Sequence, residues 1–158
     1  MKNFFAFLLA MLMMLTACST EQEEKNYNPK TTKFEVNETY DEDAPVKMNI
    51  VSVSESGIKV EFVNTTEMEG IFGEHFYICF EQDGKWYSLP QTAENIAFND
   101  IGYILGPNGK SDIEHGFEWI YDLLPSGKYR IVKDVILYKD INNIEKEKYT
   151  LAAEFEIK

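Results

Sequence analysis

The feature that most constrains this chain is a repeated alternation of apolar and other residues in short runs. The alternation is clearest near the C-terminus, at five apolar positions: Tyr149, Leu151, Ala153, Phe155 and Ile157. A strict period of two places these side chains on one face of a β-strand. Comparable runs, separated by turn residues, recur roughly every 8–12 positions from Val46 onward, a spacing that is typical of β-sandwiches and barrels. With no sustained helical period after the leader-like first residues, the sequence predicts an all-β fold.

The individual runs predict further strands over Val46–Val53, Ile58–Val63, Phe76–Glu81, Trp86–Leu89 and Tyr129–Lys133. Asp83-Gly84 lies between two of them and predicts a type I′ hairpin turn, because both central residues of that turn need a positive φ. The polar, glycine-containing stretch Asn64–Gly73 is expected to be a loop. Three aromatic residues at alternate positions are expected to share one face of a strand: Phe117, Trp119 and Tyr121.

The first residues have the composition of an export signal. Lys2 is followed by an unbroken apolar run from Phe4 to Leu15, which is shorter than the roughly 20 residues that a membrane-spanning helix needs. The segment Leu15-Thr16-Ala17-Cys18 resembles the lipobox of bacterial lipoproteins. That resemblance implies cleavage before Cys18 and a diacylglycerol, carrying chains such as palmitate, on its thiol. The alternative is an ordinary cleavable signal peptide with a coincidental cysteine.

Charge and polarity divide the chain after the signal into two parts. The chain carries a net charge of −12, which repels phosphate backbones and argues against a nucleic-acid partner. Residues 18–44 are polar and acidic, and burial of so few apolar side chains would not offset the conformational entropy lost on ordering. We therefore expect a flexible tether there. The sequence therefore predicts a signal peptide over 1–17, an acidic tether over 18–44 and one domain over 45–158, with a short strand possible around Lys33–Val36. Its expected location is extracytoplasmic, lipid-anchored to the cell membrane at the cell surface or periplasmic face.

The cysteine count excludes an internal disulfide if Cys18 is lipidated, because Cys79 is the only other cysteine. An exported domain without a disulfide depends on its apolar core. Since 44% of the residues are hydrophobic, the chain can build one. Cys79 lies between Ile78 and Phe80, and we expect it to be a buried small apolar side chain rather than a reactive thiol.

Leu124-Pro125-Ser126-Gly127-Lys128-Tyr129-Arg130-Ile131 resembles the tyrosine corner of immunoglobulin-like sandwiches, in which the Tyr hydroxyl bonds to the chain upstream. Ile131 stands where antibody domains have a cysteine. Tyr129 is therefore a candidate structural corner. The region from Val46 to Lys158 resembles a bacterial Ig-like domain of surface lipoproteins in several segments: Gly57–Asn64, Asp83–Trp86, Glu118-Trp119, Gly127–Lys133 and Leu151–Ile157. The resemblance implies a sandwich of about seven antiparallel strands and no shared activity.

Residues that could carry chemistry are few. His75 and His115 are too few for a three-histidine zinc site, and the sequence has no HExxH, CxxC or GxSxG motif. Asp41-Glu42-Asp43 could contribute oxygen ligands to calcium, but it lacks the rest of an EF-hand loop and is expected to be a solvated charge run. We expect no cofactor, no metal and no enzyme activity.

The predicted function is that of a non-catalytic binding or structural module of the cell envelope. The membrane, through Cys18, is one expected partner, and an unidentified envelope protein or glycan is the other. The expected contact surfaces are the segments Thr65–Gly73 and Lys139–Glu147, because binding residues concentrate on loops. One alternative is a carbohydrate-binding module that stacks sugars on Tyr77, Tyr87 and Tyr103. A third hypothesis is a regulator or inhibitor of an envelope enzyme.

Overall fold

The computed structural model describes residues 35–139 and 146–158, whose regular structure is almost entirely β-strand. Nine strands lie in these ranges: β1 Val46–Ser54, β2 Gly57–Asn64, β3 Glu69–Gly73, β4 Tyr77–Gln82, β5 Lys85–Ser88, β6 Gly102–Leu105, β7 Lys110–Gly116, β8 Gly127–Tyr138 and β9 Lys146–Ile157. One short helix, α1, covers Glu118–Tyr121. The prediction of an all-β fold is confirmed.

The strands form two antiparallel sheets that face each other. The smaller sheet has the order β1-β2-β7, and the larger has the order β5-β4-β8-β3-β6 with β9 paired to β8. Apolar side chains from both sheets form one buried cluster between them. Phe62 of β2 and Phe72 of β3 meet across this interior, with ring centroids 4.3 Å apart. The fold is therefore a β-sandwich, and the cysteine in the described ranges, Cys79, is free.

Strand β8 organises the larger sheet. Its first half pairs with β4, where Tyr129 lies opposite Phe80, and its second half pairs with β3, where Val135 lies opposite Phe72. All twelve residues of its other edge pair with β9. Strands β3 and β4 thus follow one another along the same edge of β8. Residues 73–76 of this edge face only Lys133 and Asp134 of β8, so regular pairing is interrupted there by a bulge with two extra residues.

The prediction that Asn64–Gly73 is a loop was wrong. Asn64 ends β2, and Glu69–Gly73 forms β3, which pairs with β6 on one edge and β8 on the other. Two glycines removed the apolar alternation that would have revealed the strand. At Gly70 a Cβ would lie 3.0 Å from the Leu137 Cδ2 atom, so a larger residue there would have to displace that leucine side chain by a few tenths of an ångström.

The prediction of a strand through Phe117, Trp119 and Tyr121 was also wrong. These residues lie in and beside α1, and Trp119 is 47% exposed. The buried residues are Phe117, Ile120, Tyr121 and Leu124, whose spacing is helical. The strand in this region is β7, immediately before it, whose inward positions include the polar residue His115.

The predicted hairpin at Asp83-Gly84 is confirmed. Asp83 has a φ of 53° and Gly84 a φ of 75°, as a type I′ turn requires. Strands β4 and β5 pair directly on either side, with Gln82 opposite Lys85. The carboxylate of Glu81 also accepts a hydrogen bond of 2.6 Å from the Gly84 backbone N–H.

The predicted tether overlaps the described structure at residues 35–44, and these ten residues lie against the larger sheet. We call them the strap. The Val36 N–H donates to the Trp86 carbonyl oxygen at 2.9 Å, and the Asp41 N–H donates to the Thr150 carbonyl oxygen at 3.0 Å. Ala44 is buried. Tyr40 and Ala44 supply apolar contacts. The average composition of residues 18–44, which is polar and acidic, does not reveal them. The predicted residues Lys33 and Phe34, and the segments 1–17 and 18–34, lie outside the described ranges.

The corner at Tyr129 provides a stability test. Its hydroxyl donates a 2.8 Å hydrogen bond to the Pro125 carbonyl oxygen, and its ring stacks on Phe155 at 5.5 Å. Tyr129→Phe should lower the free energy of unfolding by about 0.5–1.5 kcal/mol, because one largely buried hydrogen bond is lost. Tyr149→Phe is the matched control, since that hydroxyl bonds to Glu147 at an exposed site. Equal urea midpoints for wild type and Tyr129→Phe would contradict a stabilising corner.

Candidate functional site

The outer face of the larger sheet carries an arginine held between aromatic rings. The guanidinium carbon of Arg130 lies 4.0 Å from the Trp86 ring centroid and 5.0 Å from that of Tyr40. A carboxylate oxygen of Glu154 lies 2.5 Å from the guanidinium. We call these four residues the arginine cluster. Such stacking on rings is favourable because the face of an aromatic ring attracts a cation.

Strand register brings the cluster together. Arg130 of β8 lies opposite Cys79 of β4 on one side and Glu154 of β9 on the other, so all three share the outer face. Cys79 is fully buried, as expected, but it lies beneath the strap rather than in the interior between the sheets. Burial raises the pKa of its thiol to about 11. The thiol is therefore protonated at neutral pH and a poor nucleophile.

A pocket of about 730 Å³ lies beside this cluster, lined by residues 38–45 together with Arg130 and Tyr149. Several of its polar groups already have partners in the protein. Glu38 accepts a hydrogen bond from the Tyr77 hydroxyl, and the Asp41 carboxylate accepts one of 2.7 Å from the Thr150 N–H. The pocket therefore offers acidic hydrogen-bond acceptors, and it holds no side chain of the nucleophilic types Ser or Cys among its lining residues.

The acidic run Asp41-Glu42-Asp43 is exposed on the rim of this pocket. The Asp41 carbonyl oxygen accepts a hydrogen bond of 3.0 Å from Ala44, which closes a turn within the strap. Within residues 35–139 and 146–158, no group of three or more His, Cys, Asp or Glu side chains is arranged to hold a metal ion. The run contributes a turn and surface charge to the structure.

A buried lysine lies at the break between β3 and β4. Lys133 of β8 points between the sheets and is 1% exposed. Its Nζ atom donates hydrogen bonds of 2.8 Å to the Gly73 carbonyl oxygen and 2.9 Å to the His75 carbonyl oxygen. These carbonyls belong to the bulge, where regular strand pairing with β8 is interrupted. Lys133 therefore supplies donors where the strand ladder supplies none.

His115 lies in the same interior, on β7 of the other sheet. Its ring stacks on Phe76 with centroids 4.3 Å apart, and its buried Nε2 atom has no hydrogen-bond partner among the described residues. Burial, together with the nearby charge of Lys133, lowers the pKa of His115 to about 3. Burial also lowers the pKa of Lys133, to about 8. His75 is exposed instead and meets the ring of Phe98 edge-on.

The three candidate sugar-stacking tyrosines do not form one platform. Tyr87 packs on Phe80 at 5.6 Å and Tyr103 stacks on Phe72 at 5.5 Å, so both rings cover the margin of the interior. Tyr77 alternates with the inward residue Ile78 and therefore lies on the opposite, outer face of the sheet. The hydroxyl groups of Tyr77 and Tyr103 donate to Glu38 and Glu74, respectively.

The two predicted contact segments lie at the same end of the larger sheet. Glu69 pairs with Tyr138, and Tyr138 pairs with Lys146, so the connection before β3 and the one between β8 and β9 are neighbours. Residues 65–68 are the part of Thr65–Gly73 that remains a loop, and residues 140–145 lie outside the described ranges. Asn64 holds the described loop in place, donating to the Met68 carbonyl oxygen at 2.7 Å.

Sequence reasoning missed the arginine cluster and the buried lysine. The burial of Lys133 could have been predicted, because it alternates along β8 with the same period as the inward residues Ile131 and Val135. For Arg130 the stacking partners come from β5 and from the strap, which no local pattern connects to β8. The cluster depends on register between distant segments.

These features define an antiparallel β-sandwich with a tyrosine corner and no disulfide in its described part. The profile of the bacterial Ig-like domain family matches residues 41–156, so the chain belongs to that family. No curated protein matches the chain. A solved structure of a protein from Archaeoglobus fulgidus is similar over 73% of this chain and 97% of that one, at 12% identity and a TM-score of 0.28.

The interior histidine predicts a specific acid sensitivity. The pKa of His115 is lower in the folded chain than in the unfolded chain. As the pH falls below about 6.5, the unfolded chain therefore binds a proton at this residue while the folded chain does not, which favours unfolding. Wild type should then lose up to about 1.4 kcal/mol of stability per pH unit from this residue. His115→Phe should lose less between pH 6.5 and 5, as measured by urea unfolding.

The exposed histidine provides the matched control for this prediction. His75→Phe replaces the other histidine, whose side chain is exposed, with the same residue and is measured over the same range of pH. An identical slope for His115→Phe and wild type would show that the buried ring is not the origin of the acid sensitivity.

Proposed function

We propose that this chain is a lipoprotein, anchored through Cys18, whose Ig-like domain is a non-catalytic binding or structural module of the cell envelope. The observation that carries the proposal is the lipobox-like segment Leu15–Cys18 at the end of an apolar run. Membership of the bacterial Ig-like family supports the role of a surface or structural module. The lipid would supply membrane affinity of about 0.8 kcal/mol for each buried methylene group.

The anchor and the domain have separate roles in this proposal. No helix in the described ranges has the length and apolar character needed to cross a membrane. The acyl chains on Cys18 would hold the protein at an extracytoplasmic membrane face, and the segment before the strap would connect them to the sandwich. The domain itself would act by contact, since Glu38 and Asp41 of the pocket beside the arginine cluster already accept hydrogen bonds from Tyr77 and Thr150.

The expected binding surface is the end of the larger sheet where the loop 65–68 lies beside the paired residues Tyr138 and Lys146. The turn at Asn108 extends it, since the Asn108 side chain donates to Glu67 at 2.7 Å and its N–H donates to the Thr66 carbonyl oxygen at 2.8 Å. These bonds give the loop a fixed shape that a protein partner can recognise. The glycan alternative receives less support, because its three tyrosines lie on different faces.

The anchor is tested by Cys18→Ser, which should move the protein from the membrane fraction to the soluble one. The reason is loss of the thiol that accepts the lipid. Metabolic labelling with radioactive palmitate should label wild type and not this variant. Cys79→Ser is the matched control and should keep both the label and the membrane fractionation, since Cys79 is buried in the fold. Continued labelling of Cys18→Ser would refute Cys18 as the acylation site.

The partner class is tested by capture from envelope extracts beside a glycan array. We expect saturable capture of an envelope protein, weakened several-fold by Glu67→Arg in the loop 65–68. Tyr77→Ala should leave capture unchanged, because it lies on the outer face of the larger sheet away from this loop. Saturable glycan binding that Tyr77→Ala, Tyr87→Ala or Tyr103→Ala abolishes would overturn the protein-partner proposal.

A further inference from the structure

The strap crosses the outer face of the larger sheet from one margin to the other. Its contacts run from β5 to β9 in chain order: Val36 with Trp86 of β5, Glu38 with Tyr77 of β4, Tyr40 with Arg130 of β8, and Asp41 with Thr150 of β9. These four contacts therefore fall on four different strands. The strap lies across the strands instead of extending any one of them as a full ladder partner.

Most of these contacts are exposed and individually weak. The ion pair between Glu35 and Lys85 is 3.1 Å long, and its two side chains are 38% and 56% exposed. Exposed ion pairs of this kind contribute little to stability. Ala44, at the end of the strap, is its one buried side chain, whereas β8 alone buries seven residues. Segments with few buried apolar contacts are those that open locally while the rest of a domain stays folded.

The end of the strap is fixed to the sandwich. The Pro45 carbonyl oxygen accepts hydrogen bonds from both the N–H and the hydroxyl of Thr65, at 3.2 and 2.8 Å. Strand β1 begins at the next residue, Val46, which is fully buried. Opening that starts at Glu35 would therefore stop at Pro45.

The strap covers a surface that is already built. Cys79 is 0% exposed although it faces outward, because the ring of Tyr40 in the strap lies over that part of the sheet. Beneath the strap the guanidinium keeps two partners that belong to the sandwich, Trp86 and Glu154. The surface would therefore persist without the strap.

We propose that residues 35–44 are a detachable strap, hinged at Pro45, that leaves the outer face of the larger sheet as a unit while both sheets stay folded. Detachment opens Trp86, Arg130 and Cys79 to solvent. The proposal does not depend on lipid anchoring, since it rests only on contacts within the described ranges.

Thiol labelling of Cys79 tests the proposal in the full chain carrying Cys18→Ser, which leaves one thiol. Labelling by a disulfide reagent is followed at concentrations where the rate is proportional to reagent. In low urea, the Cys18→Ser protein should label at least roughly tenfold faster than global unfolding permits. The labelling rate should depend only weakly on urea, because detachment exposes little surface. Labelling that follows global unfolding in rate and urea slope would overturn the proposal.

Two strap variants distinguish detachment of the whole strap from movement of the Tyr40 ring alone. Tyr40→Ala should accelerate labelling roughly tenfold by removing the ring stacked on Arg130. Val36→Pro removes the N–H that bonds to Trp86, at the far end of the strap, and should also accelerate labelling several-fold. If Tyr40→Ala accelerates labelling and Val36→Pro does not, the Tyr40 ring only covers the thiol. That result would overturn the proposal that the strap detaches as a unit. Tyr129→Phe is the control, which should lower the unfolding midpoint and leave native labelling unchanged.

Discussion

The pairing of both edges of β8 fixes the position of most strands in the larger sheet. One edge carries β4 and β3 in succession, and the other carries β9 along its whole length. Its side chains are buried on both faces, with Ile131 and Val135 toward the interior and Val132 and Tyr138 away from it. A central strand that is covered on both faces needs apolar residues at consecutive positions. The run Val135-Ile136-Leu137-Tyr138 meets that requirement.

The break in the neighbouring edge is a result of this arrangement. Because β3 and β4 share one edge of β8, the extra residues between their paired segments place the Gly73 and His75 carbonyls outside the regular backbone pairing with β8. Lys133 satisfies both, at the cost of burying an ammonium group. An apolar side chain at 133 would avoid that cost and leave two carbonyl groups without this donor. The same charge helps to keep His115 neutral, so the bulge on one sheet influences the protonation of a side chain on the other.

The sequence was informative where structure is local. The alternation from Tyr149 to Ile157 and the turn at Asp83-Gly84 were each predictable, because the determinants lie within a few residues. The strand β3 was not, since two glycines interrupt its apolar alternation and its pairing partners lie in the distant strands β6 and β8. Near Trp119, the alternate spacing of three aromatic residues suggested a strand, whereas the residues that are buried there have helical spacing. The arginine cluster combines residues of β5, β8, β9 and the strap, which no single segment encodes.

The direction of the strap has a mechanical consequence. A load that enters the domain at Glu35 runs across the strands, so it reaches the contacts at Trp86, Tyr77, Arg130 and Thr150 one after another. Contacts that are loaded one after another each resist the force alone, whereas the β8–β9 ladder shares a lengthwise load among many bonds. Traction on the N-terminal side would therefore release about 30 Å of chain, at roughly 3.3 Å per residue, before the sandwich bears any strain.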